Sequence, residues 1–151
     1  MEDIIRDICR YIIENINEEI AIEQLEENFY YNRFYIIRAF KKTTGYTIKE
    51  FTNKVKVLKT IDPLLFTDDT ILKIALNNGF NSQEYYSETF KNVIGISPIN
   101  FRKEYTNIDK IEDINELKQK RKYLEEVREY KQYLLETPTK KENVKELRKV
   151  A

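Results

Sequence analysis

The chain has 151 residues, about one domain's worth, with 26 basic and 26 acidic side chains, no histidine and a single cysteine. Three glycines and three prolines are too few for a loop-rich β-sandwich. The lone cysteine excludes a disulfide framework or a zinc site built on cysteine pairs, and the missing histidine removes the commonest metal ligand and general base. No apolar run approaches the ~20 residues that span a bilayer, and the acidic, periodic first residues do not read as a signal peptide. The expectation is an all-α cytoplasmic protein that is not an enzyme, has no metal, cofactor or catalytic residues, and has no membrane partner.

Residues 2–16 place Ile4, Ile5, Ile8, Ile12, Ile13 and Ile16 at helical spacing with charges between them, which predicts an amphipathic helix. Its acids lie early, where they suit the helix dipole. Cys9 sits at the edge of that stripe and reads as packing rather than as a redox sensor. A short helix follows over residues 22–28, with Ile22 and Leu25 inward. Asn32 is placed to cap the next helix, which carries Phe34, Tyr35, Ile36 and Phe40 and ends at Gly45. Ile48, Phe51, Val55 and Leu58 continue the helical pattern from Thr47 to about Ile61, and Pro63 should end or bend it. Thr67 to Thr70, including Asp68 and Asp69, offers caps for a helix holding Ile71, Ile74 and Ala75. Gly79 marks a turn, Ser82 a cap, Gly95 a stop, and Ser97-Pro98 a further start. Residues 108–135 then read as one long, narrowly apolar helix, with Arg121 and Lys131 interrupting the seam. It is expected to pack on the rest of the chain through Ile111, Ile114 and Leu117, or to serve a helical partner or self-association. Thr137-Pro138-Thr139 should break it, and a weak last helix would turn Val144 and Leu147 inward.

Charge is unevenly placed. Residues 1–27 carry nine acids and two bases, and residues 28–61 one acid and eight bases. The basic block either faces a polyanion or is neutralised by the acidic block. The carboxylates Asp109, Glu112, Asp113 and Glu116 read as a solvated helix face, and no Gly-rich phosphate loop occurs.

An internal repeat carries the functional signal. Phe40-Lys41-Lys42-Thr43-Thr44-Gly45 returns fifty residues later as Phe90-Lys91-Asn92-Val93-Ile94-Gly95, and Tyr35 matches Tyr85. Each unit is helix, tight turn, helix: a helix-turn-helix candidate whose second helix can enter a major groove.

Ile71-Leu72-Lys73-Ile74-Ala75-Leu76-Asn77-Asn78-Gly79-Phe80-Asn81-Ser82, followed by Tyr85-Tyr86-Ser87, Phe90-Lys91, Gly95, Ser97-Pro98 and Phe101-Arg102, closely resembles the second half of the AraC/XylS-type DNA-binding domain. The resemblance covers residues 1–105 and implies a bacterial, nucleoid-associated transcription regulator without an N-terminal effector domain. It implies two helix-turn-helix subdomains, 1–46 and 67–105, joined by a linker helix over 47–66, with 106–151 as a C-terminal helical extension. The implied partners are double-stranded DNA and RNA polymerase. Carried onto this sequence, the base-facing positions are Phe34, Ile37 and Arg38 in the first recognition helix, 32–40, and Gln83, Glu84 and Ser87 in the second. Arg33, Lys41, Lys42 and Lys91 would meet phosphates. Core packing for Phe34 and a surface ion pair for Arg38 stay open as alternatives.

The chain departs from the family pattern in places. Glu88 stands where Arg is usual, Glu26 where a small residue is usual, and Tyr30 where Gly is frequent. The linker has Lys56 for Arg, Thr60 for Ala, and the extra Pro63. These departures favour a first motif that dominates DNA binding. They also motivate the alternative, a protein-interaction module that keeps the fold with weak or lost DNA binding. A third possibility is the DNA-binding portion of a larger regulator.

Overall fold

The computed structural model describes residues 2–136. The expected break at Thr137-Pro138-Thr139 and the helix of Val144 and Leu147 lie outside the described residues. The helices are α1 (Glu2–Glu14), α2 (Ile22–Phe29), α3 (Arg33–Thr44), α4 (Ile48–Lys59), α5 (Ile61–Phe66), α6 (Ile71–Asn77), α7 (Gln83–Ile94), α8 (Pro98–Tyr105) and α9 (Ile114–Glu136). Among the described residues there is no strand. The all-α reading holds: α2–α3 and α6–α7 form two helix-turn-helix units joined through α4 and α5, and a helical extension follows.

Local chemistry explains the boundaries. Thr47, Thr70, Ser82 and Ser97 each accept a backbone N–H three residues on, and Asn32 accepts that of Phe34. Each cap thereby satisfies an orphan donor of the first turn. Gly45 (φ 82°) and Gly95 (φ 107°) end α3 and α7 in the left-handed region.

The linker is not one helix. Pro63 has no N–H to give the Lys59 carbonyl, and its ring crowds that carbonyl. The break therefore falls at Thr60, three residues before the proline, and α5 restarts with Pro63 in its first turn. The Thr60 hydroxyl donates to the Val57 carbonyl at 2.6 Å and accepts from the Tyr86 hydroxyl at 2.8 Å. A buried polar pair thus occupies the interruption where an alanine would leave Tyr86 unpartnered. Arg102 secures the next corner, donating to the carbonyls of Leu64 (2.9 Å), Asp69 (2.7 Å) and Thr67 (3.2 Å).

The extension also differs from expectation. A 3-10 turn occupies Ile108–Lys110, and α9 starts only at Ile114. The Asp113 carboxylate accepts the N–H groups of Asn115 (2.9 Å) and Glu116 (3.1 Å) and so starts the helix there. Ile114 is 65% exposed, and Ile111 and Leu117 are only half-buried. The seam lies further along, where Tyr123, Leu124, Val127, Tyr130 and Leu134 are buried against the core. The interrupting charges are paired, Arg121 with Asp109 at 2.8 Å and Lys131 with Asp62 at 3.7 Å.

One hydrophobic core runs from the isoleucines of α1 through Phe40, Phe51, Phe90 and Phe101 to α9. Ile5, Ile8, Cys9 and Ile12 are fully buried in it. Burial pushes the Cys9 thiol up to about 12, so it stays protonated and unreactive. No helix among the described residues is long and apolar enough to cross a membrane.

Candidate nucleic-acid interface

The first motif turns from α2 into α3 through Tyr30. Tyr30 takes φ 59° and ψ 36°, the only non-glycine positive φ among the described residues, and its N–H donates to the Glu26 carbonyl at 2.9 Å. Its ring is 90% exposed. In the second motif the left-handed turn residue is Gly79 (φ +84°), one position earlier relative to the next helix, where a Cβ would also meet the Ile16 carbonyl at 3.2 Å.

Glu26 is satisfied by Arg33. Its carboxylate accepts the Arg33 backbone N–H at 2.9 Å and the guanidinium at 2.8 and 3.1 Å. The backbone and side-chain hydrogen bonds from Arg33 lower the Glu26 pKa. Glu23 joins from the same helix at 3.2 Å. Arg33, expected at a phosphate, is therefore held against α2 and locks the angle between the two helices of the motif.

The rest of α3 separates into two faces. Ile36, Ala39 and Phe40 are buried. Phe34 is 67% exposed and Ile37 47%, and Arg38, Lys41 and Lys42 are exposed as well. Arg38 lies along its own helix, with Nε donating to the Phe34 carbonyl at 3.3 Å. Among the described residues no carboxylate pairs with it. Core packing is thus not what holds Phe34, and an ion pair is not what holds Arg38. Arg38, Lys41, Lys42 and Lys49 form no ion pair with the acidic block among the described residues; of the basic block, Arg33 pairs with Glu23 and Glu26, and Lys56 feels the charge of Glu19. The positive field over α3 is therefore open to solvent.

The second helix of the second motif, α7, is different. Tyr86, Thr89 and Phe90 are buried, Gln83 and Ser87 half-buried, and Glu84, Glu88 and Lys91 exposed. Two exposed carboxylates, Glu84 and Glu88, stand at the positions that match Phe34 and Arg38 in the repeat.

Sequence reasoning singled out Ile37, Lys56 and Tyr85 separately but not the groove they share between the motifs. A groove of about 840 Å³ opens there, bounded by Ile37, Ile48, Lys49, Lys56, Leu76 and Tyr85. On its floor the Asn53 amide donates to the Tyr85 hydroxyl at 2.9 Å, and the Lys56 ammonium donates to the Gly79 carbonyl at 3.0 Å. Burial draws the Lys56 pKa down, opposed by Tyr85 and Glu19. The only signal for these contacts was the helical spacing of Lys49, Asn53 and Lys56 on one face of α4.

The helix-turn-helix domain model matches residues 25–104, from α2 to the end of α8. The chain belongs to the AraC-type helix-turn-helix family. AraC-type domains are parts of transcription regulators, which are not enzymes. This one is similar to the multiple antibiotic resistance protein MarA of Escherichia coli, with 29% identity over 98 residues, 65% of this chain and 77% of MarA. It resembles the C-terminal domain of AraT, a response regulator from Geobacillus stearothermophilus, with a TM-score of 0.62 and 28% identity over 66% of this chain and 84% of that one. In fold it also resembles the DNA-binding domain of AdpA, a global transcriptional factor solved in complex with a target DNA, with a TM-score of 0.61 and 24% identity over 67% of this chain and 91% of that one. The AraC-type match stops before α9.

Proposed function

We propose that the protein is a transcription regulator that binds double-stranded DNA sequence-specifically, with α3 as the leading recognition helix. The observation that carries this reading is the exposed face of α3, where an aromatic, an aliphatic and an arginine side chain stand in solvent without an intramolecular reason for their exposure. Phe34 and Ile37 suit thymine methyls, and the Arg38 fork suits a guanine edge once it swings off its own helix. Lys41 and Lys42 at the end of α3 and Lys91 on α7 take phosphates. Arg33 leaves the phosphate set, because its guanidinium is engaged by Glu26 and Glu23. Gln83, Glu84 and Ser87 form the weaker second contact, with Glu84 suited only to a cytosine amine.

The test is binding of promoter fragments by the wild type and by Arg38→Ala. The variant should lose about 1–3 kcal/mol on its preferred site and little on random DNA. Equal losses on both would make Arg38 a phosphate contact instead. The exposed Glu84 and Glu88 favour a second reading, docking of α7 on a basic protein surface. That reading predicts no retardation of any fragment even at low salt.

A further inference from the structure

We infer that α9 is a splint across the broken linker, and that Tyr123 and Tyr130 are positioning residues which set the distance and angle between the two recognition helices. The interruption at Thr60 breaks the continuous rod between the motifs, which leaves their relation to the contacts of α4 with the second motif, through Asn53, Lys56 and Thr60, and to α9. Helix α9 has 23 residues, and the side chains it buries run from Tyr123 to Leu134. It is anchored on both sides of the break. Towards its start, the Tyr123 hydroxyl donates to the Ile94 carbonyl at the end of α7 (3.3 Å), and its ring lies 5.4 Å from that of Tyr105 on α8. Lys120 adds a contact to the Glu104 carbonyl at 3.4 Å. Towards its end, the Tyr130 hydroxyl meets that of Tyr46, just after α3, at 3.3 Å. Lys54 of α4 lies over both of those rings, 5.1 Å from Tyr46 and 5.8 Å from Tyr130. Lys131 reaches Asp62 on α5, the far side of the interruption. Buried Val127 packs between the two tyrosine anchors. One helix therefore touches the turn just after α3, both halves of the linker and the end of α7.

The DNA arm of the test rests on the reading under Proposed function; a second arm does not. In the full chain, spin labels at E27C and N77C, one exposed position in each motif, report the separation directly. Cys9, fully buried, stays unlabelled. The wild type should give one narrow distance distribution. Y123L/Y130L, which keeps apolar volume but removes the hydroxyl and ring contacts, should broaden it while circular dichroism shows the same helix content. If the double variant loses its fold, Y123L and Y130L alone are read the same way. Equal widths in wild type and variant overturn the proposal. On a site bearing both half-sites, one inserted base pair should cost the wild type about tenfold or more and the variant less than about threefold, with affinity for the first half-site alone unchanged within about twofold. Equal spacing penalties also overturn it. If the wild type binds no DNA, the functional reading falls and the label distances alone decide the splint.

Discussion

Two residues test how local chemistry shapes the first motif. Tyr30 holds a left-handed conformation that costs an L side chain roughly 1 kcal/mol, with its ring in solvent and no packing in return. Tyr30→Gly should raise stability by up to about 0.5 kcal/mol in urea unfolding, because relief of backbone strain slightly outweighs the added freedom of the unfolded chain. Unchanged or lower stability would mean that the exposed ring contributes something the geometry does not show. Glu26 gives a pH signature. Its pKa is lowered in the folded protein by the hydrogen bonds from Arg33. Its contribution to stability is thus complete above the unfolded carboxylate value, ~4.3, and is lost as pH falls through the folded value. The urea midpoint of the wild type should drop below that pH more steeply than that of Glu26→Gln. Both positions stood out in the sequence as departures from the family pattern. What could not be read there was the solution found for Glu26, since Arg33 lies seven residues away and meets it only because the turn folds back.

At the scale of elements, caps and stops were legible because they are single-residue chemistry. Asn32, Gly45, Thr70, Ser82, Gly95 and Ser97 all act where their side chains, or lack of one, predicted. The linker was legible in kind but not in place. Pro63 announced a break, yet the missing donor and the crowded carbonyl act one turn upstream, so the interruption falls at Thr60. The hydroxyl there carries a prediction. Thr60→Ala leaves the buried Tyr86 hydroxyl without its acceptor and should cost about 1–3 kcal/mol. Tyr86→Phe should cost about 1 kcal/mol. Together they should destabilise by less than the sum, since the second change removes the orphaned group created by the first. Additive losses in chemical denaturation would show that the pair is not coupled.

For the whole molecule, a net charge of zero hid a field, and the structure shows which part of it is left exposed. The acidic block draws in Arg33 through Glu23 and Glu26, while Lys41 and Lys42 remain exposed on α3 and Lys91 on α7. Each of these lysines that meets a phosphate should add about −0.9 to the slope of log K against log salt. Lys→Ala at each position should therefore flatten that slope by about one and weaken binding to all sequences alike. A slope unmoved by Lys91→Ala, with Lys41→Ala effective, would leave α7 off the DNA. The extension was the least legible part. Its apolar spacing was correct, but 3.6-residue periodicity marks a stripe without saying which part of it finds a neighbour. Ile114 stands in solvent because Asp113 starts the helix there. The tyrosines, which carry a hydroxyl to partners distant in sequence, hold the seam.

The rings on that seam make the protein its own reporter. The chain has no tryptophan and eleven tyrosines, so its tyrosine emission and the tyrosine bands of its near-ultraviolet dichroism, which lie at longer wavelength than those of its eight phenylalanines, are free of tryptophan signal. Helix α9 carries one such chromophore at each anchor, Tyr123 against Tyr105 and Tyr130 against Tyr46. Lifting the helix would move both into water at once. Its docked state is thus open to observation without a label, in the light the chain already absorbs.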